Sequence, residues 1–220
     1  MKGILCSMLT TALFIASAIG QPDERKVVIS AGGGVAFPIS PKQFRDVWKT
    51  GTLSVGGGVG YSITPTFSVA GFLDYSTFPF DESGLLKSSG LDEAIALLRS
   101  VGIPVTVDVR GGDVTILALT ANAKVSIAGA SVSPYIDVGI GYMNLSVDEA
   151  TVRVAWLGRT ETGTAKVASE GSFFLTGGPG VDIHASEMLD IFVQGTLGFG
   201  LTKGQSTLYI PVKGGISVKL

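Results

Sequence analysis

From residue 26 onward, apolar and polar side chains alternate with a period of two over almost the whole chain. In Leu53-Ser-Val55-Gly-Gly57-Gly-Val59-Gly-Tyr61-Ser-Ile63 the odd positions are apolar apart from Gly57, and the even ones are Ser or Gly. Successive strand residues project to opposite faces, so such a segment builds a sheet with one apolar face and one small, weakly polar face. The pattern recurs at residues 26–37, 67–78, 113–127, 134–146, 172–184, 188–201 and 207–220, which predicts eight strands in all. Each is long enough to cross a hydrocarbon layer at a tilt, which takes about 9–11 residues.

The connections alternate in length. Thr64-Pro65-Thr66, Ala128 to Ser133 and Ala185 to Glu187 read as tight turns, whereas 38–51, 79–112 and 147–171 are long; Lys203 to Ser206 breaks the pattern. Short turns at one end and long loops at the other describe an up-and-down transmembrane barrel, with the turns periplasmic and the loops extracellular. An even strand count then puts both ends of the barrel on the periplasmic side.

Residues 1–20 have a different character. Lys2 precedes a mostly apolar stretch, Ile4 to Ile19, that ends in Ala18-Ile19-Gly20 before Gln21. This is the pattern of a secretory signal peptide cut after Gly20, leaving 21–220 as a single barrel domain. Cleavage removes Lys2 and the lone cysteine, Cys6, so the mature chain carries 15 basic against 18 acidic side chains and no thiol. Charged residues make up only 15% of the chain and hydrophobic ones 45%. This excludes disorder, and a net charge of −2 excludes a basic nucleic-acid-binding face.

Alternation by itself also fits a soluble, lipocalin-like barrel with its apolar face inward. The polar face decides between them. Gly34, Gly56, Gly58, Gly60, Gly139, Gly141, Gly178, Gly180, Gly198 and Gly200 lie on it with Ser and Thr between them. A face turned to bulk water would carry Lys and Glu, while a crowded eight-strand interior needs small side chains. The outward set is therefore Leu, Val, Ile, Phe and Tyr, meeting outer-membrane lipid. Phe37, Tyr75, Tyr142, Phe173 and Phe199 fall toward the loop ends of their strands and Tyr61 toward a turn end, where interfacial aromatic girdles belong.

The Gly-rich first hairpin Ala31-Gly-Gly-Gly-Val-Ala-Phe37, the strand Gly56-Gly-Gly-Val-Gly-Tyr61 and the alternating last strand together resemble the small eight-stranded outer-membrane barrel family typified by OmpX and the membrane domain of OmpA. The resemblance implies residence in the outer membrane of a Gram-negative-type bacterium and insertion by the assembly machinery through the C-terminal strand. That strand commonly ends in an aromatic residue in the family; here Leu208, Ile210, Val212, Ile216, Val218 and Leu220 alternate correctly, but the final residue is Leu.

Inward parity places Asp74, Lys124, Asp137, Asp182, Asp190, Gln194 and Lys213 in the lumen, with Phe72, Tyr135, Phe174, Phe192 and Tyr209. Folding the hairpin about 128–133 sets Lys124 across from Asp137 and predicts an ion pair between them, since a buried charge needs a partner. His184 is the single histidine. Its sequence neighbours Asp182 and Ser186 could form a nucleophile–base set on paper, but two are locally crowded and all lie at the turn end, so no enzyme activity is expected. No cofactor or metal site is expected either: one histidine, no retained cysteine and no Asp-rich calcium loop are present.

The long second loop carries one helical signal. Ser89-Gly-Leu-Asp92 can form a capping box, Leu91, Ile95 and Leu98 repeat at helical spacing, and Gly102 followed by Pro104 ends the run, so one short helix is expected near 90–101. Val105–Val109 and Thr151–Trp156 also alternate. The latter is expected to pair across Gly158–Gly163 with 164–170 as a protruding ribbon. Trp48 and Trp156 are the candidate contact residues for a surface protein partner. The expected function is a structural or surface-interaction (adhesion-like) role through the extracellular loops; the alternative is a narrow porin-like channel.

Overall fold

The computed structural model describes residues 27–127, 131–166, 169–201 and 206–220. The expected signal peptide, including Cys6, lies outside them. Eight antiparallel strands form a closed barrel: β1 (Val27–Ser40), β2 (Thr52–Thr64), β3 (Phe67–Phe78), β5 (Val114–Ser126), β6 (Val132–Val147), β9 (Glu170–His184), a seventh made of β10 (Leu189–Gly195) and β11 (Leu197–Leu201), and β12 (Ser206–Lys219). Each pairs with its sequence neighbour in the barrel, and β1 pairs with β12 from Val28↔Lys219 to Ser40↔Leu208, which removes both sheet edges. Thr196 interrupts the seventh strand, yet its amide still reaches the β12 ladder through the Pro211 carbonyl at 3.1 Å.

The alternation sorts as its period dictates. Leu53, Val59, Leu73, Leu119, Val138, Ile140 and Val193 are each about half exposed on the outside, and Tyr142, Phe173 and Tyr75 face outward there too, with Tyr142 directly opposite Phe173. Tyr135, Phe174, Phe192 and Tyr209 are buried inside. Inward glycines make room for them: a Cβ on Gly180 would overlap the Tyr135 ring, and one on Gly198 would lie 2.8 Å from Phe174 and 2.9 Å from Tyr209.

Among the described residues three helices, not one, sit in the long loops. Helix α1 (Lys42–Val47) carries only Phe44 and Val47 as buried residues, too short a run to show a helical period. Helix α2 (Glu82–Ser89) contains one Gly and three Ser, poor helix formers, and is held by its cap: Asp81 accepts from the Ser83 amide at 3.1 Å. Helix α3 (Leu91–Ser100) is the expected one. The expected Ser89–Asp92 capping box does not form, because Ser89 ends α2 and bonds back to the Leu85 carbonyl at 2.7 Å, while Gly90 turns the chain at φ +72°.

Above the barrel, β4 (Val105–Gly111), β7 (Ala150–Trp156) and β8 (Arg159–Ala165) form a separate three-stranded antiparallel sheet in the order β4-β7-β8. The β7–β8 connection is shorter than the expected Gly158–Gly163. It is the two-residue turn Leu157-Gly158, with φ of +46° and +77°, the conformation a tight hairpin requires at both central positions. A leucine there hides the turn from a reading that looks for glycine.

Candidate functional site

The lumen is layered. At the loop end α1 folds back into the barrel mouth, and Phe44 packs edge-on against Phe78 at 4.9 Å between ring centroids. Phe78 in turn meets Tyr209 at 5.8 Å, and Tyr209 stacks on Phe174 at 6.0 Å. Ile116, Met143 and Ala36 complete this dry plug without measurable exposure. Trp48 belongs to it rather than to the outer surface. Its ring lies 5.8 Å from Phe44 and 6.4 Å from Phe80, and its Nε1 donates to the Gly112 carbonyl at 2.8 Å, tying the first long loop to the second.

Below the plug the interior is ionic. Lys213, almost fully buried, pairs with Asp74. Lys124 stands opposite Asp137 in the β5–β6 ladder, as the fold of that hairpin dictates, but the expected ion pair is not made. The Lys124 ammonium instead meets Asp182 on β9 and lies 4.0 Å from the centroid of the Tyr135 ring, while Asp137 accepts from the Asn122 amide. A lysine stem is long enough to pass one strand and reach the next, since neighbouring strands are only about 4.8 Å apart. Gln194 accepts from the Tyr135 hydroxyl at 3.1 Å. Asp74, Lys124, Asp137, Asp182, Gln194 and Lys213 thus share the lumen, on β3, β5, β6, β9, β10 and β12, and two pairs among them, Asp74–Lys213 and Lys124–Asp182, join each other directly.

At the turn end lies a cavity of about 310 Å³, lined by polar and aromatic residues that include Lys124, Phe192 and His184. His184 does not join its sequence neighbours. Asp182 is taken by Lys124, and the Ser186 hydroxyl accepts from the Met188 and Leu189 amides to shape the β9–β10 turn. The His184 imidazole instead meets Ser133 of β6 through Nε2 at 2.8 Å and Asp190 of β10 through Nδ1 at 2.8 Å. Lys219 of β12 holds the same Asp190 at 2.8 Å. Sequence reasoning placed Asp190 in the lumen but overlooked Ser133, which parity also directs inward; no local spacing links three strands.

Outside the membrane, Trp156 is half-buried on β7, paired with Val105 and Arg159 in the ribbon. The hydrogen bond from Ser83 to Asp81 holds that carboxyl below the usual carboxylate range. No group of three or more His, Cys, Asp or Glu residues able to hold a metal occurs among the described residues.

A closed eight-strand barrel with an apolar outside, a crowded polar inside and long loops at one end is an integral outer-membrane barrel. The outer membrane protein beta-barrel domain family matches residues 7–209, and the chain belongs to that family. Among solved structures it is similar to Neisserial surface protein A, NspA, at 14% identity over 88% of this chain and 97% of that one, with a TM-score of 0.53. It is also similar to the N-terminal barrel domain of Pseudomonas aeruginosa OprF, at 16% identity over 90% and 98% with a TM-score of 0.44. The attachment invasion locus protein Ail of Yersinia pestis aligns at 13% identity over 87% and 96%, with a TM-score of 0.43. At such identities the likeness is one of fold. No curated protein matches the chain.

Proposed function

We propose that this outer-membrane barrel is a surface-interaction protein, adhesion-like, whose extracellular ribbon and helices engage a protein partner. The observation that carries the reading is an apolar crest at the ribbon's far end. Leu157 of the β7–β8 turn is 66% exposed, and Leu97 and Val101 of the α3 end are 68% and 66% exposed. The two are tied together because Arg99 donates to the Val105 carbonyl at 2.9 Å and Val105 pairs with Trp156, next to Leu157. Large side chains offered to water stabilise nothing within the chain, and clustered ones mark contact sites. Every residue of β8 is exposed, and it pairs only with β7 among the described residues, leaving an edge open to strand addition. The channel alternative is disfavoured by the Phe44 plug.

The test displays the wild-type barrel and a Leu97→Asp, Val101→Asp, Leu157→Asp variant on cells, and measures self-aggregation and attachment to immobilised extracellular-matrix proteins. The proposal expects attachment or aggregation from the wild type and at least a fivefold loss in the variant at equal surface amounts. Equal values for the two would refute it.

A further inference from the structure

The geometry points to a second, separate activity. We propose that Ser133, His184 and Asp190 form a hydrolytic relay at the periplasmic end of the lumen, acting on small carboxylic esters that enter from that end. The three side chains come from three different barrel strands, β6, β9 and β10, and converge in the order a serine nucleophile needs. A carboxylate only accepts, so in the neutral imidazole Nδ1 carries the proton toward Asp190 at 2.8 Å and Nε2 is left to accept from the Ser133 hydroxyl at 2.8 Å. Closed barrel walls hold all three, and Lys219 grips both oxygens of Asp190, at 2.9 and 2.8 Å, so the base is oriented by a group that is itself immobilised.

A structural staple between strands would need only one such bond and no space beside it. Here the serine, the histidine and the aspartate all line the cavity of about 310 Å³, near the lower bound of the roughly 300–1,000 Å³ typical of ligand pockets. That volume suits a short acyl group and a small alcohol portion. Phe72 and Phe192 supply apolar wall for the acyl chain, while Lys124 lines the same space and offers positive charge to an oxygen that becomes anionic.

In the first step Oγ of Ser133 forms a bond to the ester carbonyl carbon as its proton passes to Nε2 of His184, and the carbonyl π pair moves onto oxygen. Collapse of that tetrahedral species breaks the bond to the alkoxy oxygen, which leaves with the proton from Nε2. Water then adds to the acyl-serine, giving its proton to Nε2, and the second collapse releases the carboxylic acid and returns the proton to Oγ. Ester and water are consumed, acid and alcohol are formed, and no redox change occurs.

The test uses the folded barrel in detergent micelles, its fold confirmed by heat-modifiable gel migration, with a fluorophosphonate probe and p-nitrophenyl butyrate. The expected result is covalent labelling that peptide mass spectrometry maps to Ser133. Labelling and turnover should fall at least about 100-fold in Ser133→Ala and His184→Ala. Ser54→Ala, a serine of the upper lumen bonded to Ser76 at 2.9 Å, should leave both unchanged. If Ser133→Ala migrates as an unfolded species, the wild-type mapping and His184→Asn decide. No labelling of the folded wild type, labelling at another residue, or Ser133 labelling that survives His184→Asn unchanged would overturn the proposal.

Discussion

Lys124 stands directly across the ladder from Asp137 and yet gives its ammonium to Asp182, one strand further on. The pairing choice sets an order of stability effects. Asp74→Asn leaves Lys213, only 6% exposed, without a counter-charge, and stranding a buried charge costs about 3–5 kcal/mol. Asp182→Asn strands a Lys124 that is 29% exposed and can draw on water, so the loss is expected to be smaller, about 1–3 kcal/mol after discounting the same figure for solvent. Asp137→Asn, where the carboxylate accepts from the neutral Asn122 amide, should cost least. Urea midpoints of the three variants in lipid vesicles, read by tryptophan fluorescence, check the order; an Asp137→Asn loss larger than that of Asp182→Asn would contradict the assigned pair.

Much of the barrel was legible because its information is local. Parity along one strand places a side chain inside or outside without any knowledge of the neighbouring strand; in the structure Asp74 and Lys213 meet across the interior, and Lys124 and Tyr135 line the cavity at the turn end. The hairpin register follows from a short turn, and the Lys124↔Asp137 opposition was legible for that reason. What was lost depends on three-dimensional reach. Lys124 passes over Asp137, and His184 leaves Asp182 and Ser186 for Ser133 and Asp190, because facing side chains of a narrow barrel are closer in space than along the chain. Helix α2 was invisible for the opposite reason: it rests on one capping carboxylate and not on a periodic apolar face.

Lumenal and ribbon glycines differ in what an added methyl would meet. At Gly34 a Cβ would overlap the Val212 carbonyl oxygen, a backbone atom that cannot turn aside. At Gly163, on the exposed ribbon, nothing lies within 4 Å. Gly34→Ala is therefore expected to lower barrel stability by about 1–3 kcal/mol, the usual range for forced overpacking, and to lower the fraction that shows heat-modifiable migration. Gly163→Ala should leave both measurements at wild-type values.

The Asp81 cap predicts a local acid response. Its carboxyl is lowered by the Ser83 hydrogen bond, so the folded loop favours the ionised form. A depressed carboxylate contributes stability that is fully present above its unfolded value and is lost as pH falls through the lower folded value. Helix α2 should therefore loosen below the ordinary carboxylate range while the barrel persists. Asp81→Ala should remove the response and weaken the helix at neutral pH by about 0.5–2 kcal/mol, the cost of losing such a cap. Amide exchange of Glu82–Ser89 measured against pH checks both; protection in that segment that is independent of pH and of the substitution would exclude the cap as its source.

The Phe44 plug makes the last prediction, and it concerns passage through the barrel. A narrow channel needs a continuous water path, but the outer third of this lumen is filled by Phe44, Phe78, Tyr209, Phe174 and Met143, each at most 5% exposed. Just beneath, Lys213 and Asp74 close on one another across the interior. Two barriers in series mean that removing one should not open the pore. Wild-type protein in planar bilayers is expected to give no stable conductance steps, and Phe44→Ala should remain closed although it loses about 3–5 kcal/mol, the usual cost of truncating a buried phenylalanine. Phe44→Ala combined with Lys213→Ser and Asp74→Ser withdraws the helix side chain from the plug and removes the ion pair beneath it, without stranding a charge. That triple variant should conduct small ions if it still migrates as a folded barrel. Regular steps from the wild type would show that the plug moves aside, and would put the narrow channel ahead of surface interaction.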